Sequence, residues 1–81
     1  MARGKALKHE IINHIGILSE GTKGWKKELN RVSWNGSEPK YDLRDWNEDH
    51  TLMGKGCTLT EADIRALKDI LVAEVAFLDE D

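Results

Sequence analysis

The chain has one cysteine, Cys57, so no internal disulfide can staple it, and a lone thiol is what a reducing compartment tolerates. It has no run of about 18 or more apolar residues, which excludes a membrane-spanning helix. Its basic start (MARGKALK) is not followed by the apolar segment of a secretory leader. A soluble, cytoplasmic protein with no membrane partner is expected. Internal repeats and low-complexity segments are absent. So is metal-ligand spacing: His9, His14, His50 and Cys57 include no spaced Cys/His pair, and strand alternation would put His9 and His14 on opposite faces. Carboxylate neighbours such as Glu48 and Asp49 lie in a polar stretch with nothing to raise a pKa. The chain therefore reads as no enzyme, with no cofactor and no metal.

At 81 residues the chain is one small domain, below the size at which a single core comfortably stabilises a monomer, and self-association is favoured. The formal net charge of -3 hides a division. Residues 1–60 hold ten Lys or Arg against eight Asp or Glu, whereas residues 61–81 hold two against seven. The acidity belongs to the C-terminal segment, so a locally basic face can still meet phosphates.

Residues 1–8 read as a flexible basic arm carrying Arg3, Lys5 and Lys8, residues 9–78 as a single domain, and residues 79–81 as an acidic tail end. Residues 9–19 (HEIINHIGILS) are rich in Ile and suit a strand buried on much of both faces. Gly21 and Gly24 mark a loop in which Lys23, Trp25, Lys26 and Lys27 cluster, either as a clamp for a charged chain or as a solvated loop whose Trp packs on the core. Residues 26–34 form a second strand, where the opposite parities of Leu29 and Val32 point to a bulge or two partly covered faces. Asn35, Gly36 and Pro39 punctuate a connection, residues 40–46 make a third strand, and Asn47 to Met53 is a polar loop. Gly54, Lys55 and Gly56 lead into a short fourth strand at Cys57 to Leu59. A helix then begins at the N-cap Thr60, with Asp63 completing a capping box and Ile64, Leu67, Ile70, Leu71, Val75 and Leu78 forming an apolar stripe about 25 Å long. The fold class is α+β: a four-stranded antiparallel sheet followed by one C-terminal helix, part of whose stripe is left to pair with a second copy.

The most informative stretch is residues 34–46, WNGSEPKYDLRDW. Alternation puts Lys40, Asp42, Arg44 and Trp46 on one face of the third strand and Tyr41, Leu43 and Asp45 on the other. A face with Lys, Arg and Trp, and Trp34 at its approach, offers cations for phosphates and flat rings for bases, so it is expected to be exposed while Tyr41 is core. Asp42 on the same face orients Arg44 or a neighbouring Lys.

The run from Trp34 to Trp46, then MGKGCTLT and a single terminal helix, resembles the single-stranded-DNA-binding C-terminal domain of the eukaryotic transcriptional positive cofactor four. It is most similar to the small bacterial branch called YdbC-like proteins, and the likeness covers about residues 9–78. The resemblance implies a curved four-stranded sheet backed by a helix, a homodimer formed through the helices, and binding of single-stranded DNA in the nucleoid with little sequence preference. Position by position it places the family's aromatic on Trp34, its strand arginine on Arg44, its stacking tryptophan on Trp46 and its lysine-glycine on Lys55 and Gly56. Lys40 loosely matches the basic turn, where Asn35 and Ser37 replace charges. The long serine-rich regulatory arm of the eukaryotic proteins has no counterpart here, so the resemblance implies no coactivator role.

In the resulting picture bases stack on Trp34 and Trp46, and Arg44, Lys40, Lys55, Lys26 and Lys27 follow the backbone, with Trp25 at the sheet edge. Transcription, replication and repair are all open as the process served. RNA is an alternative partner because stacking ignores the sugar, and a protein-interaction module is the other reading.

Overall fold

The computed structural model describes residues 8–80, so the expected basic arm lies outside the described residues except for Lys8, as does Asp81 of the acidic tail. Four strands, β1 (His9–Glu20), β2 (Lys26–Trp34), β3 (Lys40–Trp46) and β4 (Met53–Leu59), form one antiparallel sheet in sequential order, and α1 (Glu61–Leu78) follows. The α+β expectation holds. β2 and β3 have the expected bounds, and β4 begins at Met53 rather than Cys57, taking the glycine-lysine-glycine run into the sheet. The β2–β3 connection turns at Asn35 and Gly36, both at positive φ (53° and 80°), with the Ser37 amide and hydroxyl donating to the Trp34 carbonyl.

Of the two readings of β2, the partly covered faces hold, with Val32 buried on one parity and Leu29 half-buried on the other, and the bulges lie in β1. Its register against β2 slips three times, between Ile11 and Asn13, between His14 and Gly16, and between Ile17 and Ser19. Twelve residues of β1 therefore oppose nine of β2, and the surplus positions are Ile12, Ile15 and Leu18. Each extra residue reverses the parity, so His9, Ile11, His14 and Ile17 all pair with β2 residues of a single face: Trp34, Val32, Asn30 and Glu28. His9 and His14 thus share a face, contrary to simple alternation. β1 is also not buried on both sides: Ile12, Ile15, Ile17 and Leu18 are exposed, since an edge strand has one neighbour and none of the described residues covers its second half.

The unequal strand lengths curl the sheet. Trp46 pairs with Lys26, eight residues along β2 from Trp34, which on a straight strand is about 26 Å. The two indole centroids are 6.4 Å apart. The sheet has folded its concave face onto itself, and that face, carrying Glu28, Asn30, Val32, Asp42 and Trp46, holds all the fully buried side chains among the described residues. The expected sides are therefore inverted: parity sorts β3 as foreseen, but the Asp42 and Trp46 face is the interior, and Tyr41 and Leu43 are only half-buried.

α1 starts as expected. The Thr60 hydroxyl accepts from the Asp63 amide and the Asp63 carboxylate accepts from the Thr60 amide, and Glu61 and Asp63 sit at the positive helix N-terminus. The helix touches β3 and β4, with Ile64 half-buried, and the rest of its length is exposed. The radius of gyration is 15.2 Å, against about 11 to 12 Å for a compact chain of this length, because the helix extends away from the sheet. None of the helices in the described residues is long and apolar enough to cross a membrane.

Candidate functional site

Two side-chain clusters share the concave face. The first is aromatic and cationic. Trp46 is 0% exposed, with Trp34 nearly parallel to it (13°) and the rings of His9 and His50 at 4.9 and 5.6 Å. Trp34 is half-buried and carries the Arg44 guanidinium over its ring, the Cζ atom 4.7 Å from the centroid. The arginine Nε donates to both carboxylate oxygens of Asp42, at 2.6 and 2.8 Å, and Nη1 reaches the Gly54 carbonyl at 3.5 Å. Of the two roles open to Asp42, orienting Arg44 is the one realised. Only 14% of the Arg44 side chain is exposed and none of Asp42, so the pair is an internal brace. The indole Nε1 atoms of Trp34 and Trp46 are both buried without a hydrogen-bond partner among the described residues.

These positions correct one expectation. Trp46 is not an open stacking platform; the curl seals it behind Trp34, His9 and His50. Trp34 and Arg44 do come together as expected. At Gly56 a Cβ would collide with the Cβ of Arg44 and the carbonyl of Leu43, so the glycine makes room for the chain's own β3. Lys27, Lys40 and Lys55 are exposed, and Lys26 and Trp25 are half-buried. Trp25 closes the β1–β2 loop through backbone bonds, its carbonyl accepting from the Gly21 amide at 2.7 Å and its amide donating to the Thr22 carbonyl at 3.1 Å.

The second cluster was not foreseen. Glu28, 4% exposed, faces His50 from the β3–β4 loop and His14 from β1. His50 Nε2 lies 2.9 and 3.0 Å from the two Glu28 oxygens, and His14 Nδ1 lies 3.6 Å from Oε1. The fully buried Asn30 amide donates to Glu28 Oε1 at 2.9 Å, and its carbonyl oxygen is 3.1 Å from His14 Nδ1. Burial pushes the Glu28 pKa up, but hydrogen bonds from Asn30 and His50 and the charges of His50 and His14 outweigh it and hold the carboxyl below its ordinary value. His50 is fixed by its own loop, at a positive φ of 61°. Asn47 bonds to Thr51 and the Leu52 amide, Thr51 donates to Asp49, and the His50 carbonyl lies 3.2 Å from His9 Nε2. Thr51 also holds the exposed Asp49 carboxyl below its usual range. Spacing along the chain hid this cluster, since its members stand on two strands and a loop and the β1 bulges bring the exposed His14 to the Glu28 face.

The profile of the Transcriptional Coactivator p15 (PC4) family matches residues 22–70, from the β1–β2 loop into α1. The chain belongs to this family. A relative from Treponema pallidum (strain Nichols), described as an uncharacterized protein, is 49% identical over 63 residues, which is 78% of this chain and 74% of the relative. The matched PC4 segment contains Trp34, Arg44, Trp46 and Gly56, and β1, which brings His9 and His14, lies before it.

Proposed function

We propose that the chain binds single-stranded DNA without sequence preference, as a homodimer paired through α1. Membership of a transcriptional coactivator family supports nucleic acid as the partner, and the juxtaposition of Trp34 with Arg44 supports these two residues as the stacking point. Trp34 presents the part of its ring left open, Trp46 backs it from inside, and the Asp42 brace keeps Arg44 over the ring. Lys26, Lys27, Lys40 and Lys55, with Trp25 at the sheet edge, follow the phosphates. A stacked base contributes about 1–3 kcal/mol, so one open indole per subunit makes a second subunit valuable for affinity. Paired bases hide their faces, which favours single strands over duplex.

The dimer is supported by how little the single chain buries. Val32 and Trp46 are the fully buried apolar side chains among the described residues, while Ile70, Leu71, Val72, Val75, Phe77 and Leu78 stand open on α1. Burying a side chain of the Val or Leu class contributes about 1.5–3 kcal/mol, against a backbone entropy cost of about 1–2 kcal/mol for every residue ordered. A second copy placing the same stripe against this one supplies the missing core by a two-fold contact.

The test is a titration of labelled oligothymidine and of a duplex of equal length, followed by anisotropy, with wild-type and Trp34→Ala proteins. Wild type should bind the single strand in the micromolar range and the duplex far more weakly, and Trp34→Ala should lose about tenfold or more. Equal binding of both DNAs, or full affinity in Trp34→Ala, sinks the reading. A matched RNA competitor measures the contribution of the sugar.

A further inference from the structure

We infer that His14, Glu28 and His50 form a binding site for a divalent transition-metal ion of the zinc class. Their donor atoms lie within 4.8 Å of one another, on β1, β2 and the β3–β4 loop. Two imidazoles and a carboxylate are the donor set that borderline ions such as Zn²⁺ take, with a coordination position left for water. The contacts made by Glu28 with His50 (2.9 and 3.0 Å) and with His14 (3.6 Å) are close to the separations of ligands that share one ion. Drawing all three onto a metal needs the His14 ring, 62% of whose side chain is exposed, to give up its 3.1 Å contact with the Asn30 carbonyl oxygen and turn to the ion.

Three further features fit a built site. The acid is buried, and both its oxygens are turned to the His50 ring at 2.9 and 3.0 Å, so the carboxylate already faces the place an ion would take. Its orientation is set by Asn30, itself fully buried, whose amide donates to Oε1 as the outer partners of metal-binding carboxylates do. The His50 loop is cross-bonded through Asn47, Asp49 and Thr51, so the imidazole is presented rather than searched for. The cluster opens to solvent through a cavity bordered by Ile17 and Lys26, which gives an ion a way in; among the described residues Lys26 is the one Lys or Arg on that wall. A bound ion would tie β1, β2 and the loop together beside Trp46, whose ring is 5.6 Å from that of His50.

The site is independent of the nucleic-acid reading, and its test needs no DNA. The protein is stripped with a chelator, then titrated with Zn²⁺ by calorimetry, and with Co²⁺ by visible absorption. Wild type should bind one equivalent of zinc per chain, gain several degrees in Tm and give cobalt ligand-field bands. His14→Ala and His50→Asn should bind at least about tenfold more weakly and lose the bands; asparagine tolerates the positive φ at position 50. Cys57→Ser should bind as wild type. Failure of wild type to bind zinc with a Kd below about 10 μM overturns the site, as does unchanged affinity in both histidine variants or loss of affinity in Cys57→Ser.

Discussion

Trp34 and Trp46 lie nearly parallel with centroids 6.4 Å apart, although pairing between β2 and β3 puts them at opposite ends of the two strands. The contact separates their roles. Trp46→Ala empties the centre of the curl and should cost about 3–5 kcal/mol of stability, read as a lower urea midpoint. Trp34→Ala removes a half-buried ring at the mouth. It should cost less stability than Trp46→Ala, and about 1–3 kcal/mol of binding to oligothymidine.

The Asp42–Arg44 brace makes the next prediction. Asp42→Ala leaves a guanidinium with 14% exposure and no carboxylate, the situation in which breaking a buried pair costs about 3–5 kcal/mol. Chemical denaturation should show that loss. Arg44→Lys retains the charge but gives up the planar group over Trp34, so it should weaken oligothymidine binding while folding better than Asp42→Ala.

Two glycines in β4 should behave differently. A Cβ at Gly56 collides with Arg44 and Leu43, so Gly56→Ala should destabilise by about 3 kcal/mol as strand pairing is forced apart. At Gly54 the nearest atom is the Asp45 Cβ at 3.4 Å, an ordinary contact, and Gly54→Ala should fold with a Tm close to wild type. Parallel thermal melts compare them directly.

What could be read in the chain was local. The β-rich run and the Asn35-Gly36 turn bound β2 and β3, and Thr60 with Asp63 marks the helix start to the residue. The parity of β3 was also legible, and with it the company of Asp42, Arg44 and Trp46. Which side faced inward was not, because the sheet's curvature comes from surplus residues at Ile12, Ile15 and Leu18, none of them a residue type that announces a bulge. The same surplus turns His14 toward Glu28. No spacing rule applied to His14, Glu28 and His50 anticipates a contact made across two strands and a loop.

The open face of α1 yields a prediction about assembly. Val75 is 49% exposed in the single chain, so Val75→Asp would be nearly neutral for a monomer. In a helix-paired dimer it places two carboxylates in an apolar seam. Sedimentation should then show wild type at twice the chain mass and Val75→Asp at the chain mass, with a lower Tm that no longer depends on protein concentration.

Salt dependence tests which cations meet phosphate. Arg44 is held by Asp42, so in the proposed binding mode Lys26, Lys27, Lys40 and Lys55 are the cations assigned to the strand. At roughly 0.7 per phosphate, four contacts give a slope of log affinity on log salt near about -3. Lys55→Ala and Lys40→Ala should each reduce that slope by about 0.7 and weaken binding equally for every oligonucleotide sequence. Arg44→Ala should instead lower affinity with little change of slope, because what it removes is support for the Trp34 ring. A slope unchanged in the lysine variants and reduced in Arg44→Ala would reverse that assignment and put the guanidinium, released from Asp42, on the phosphate.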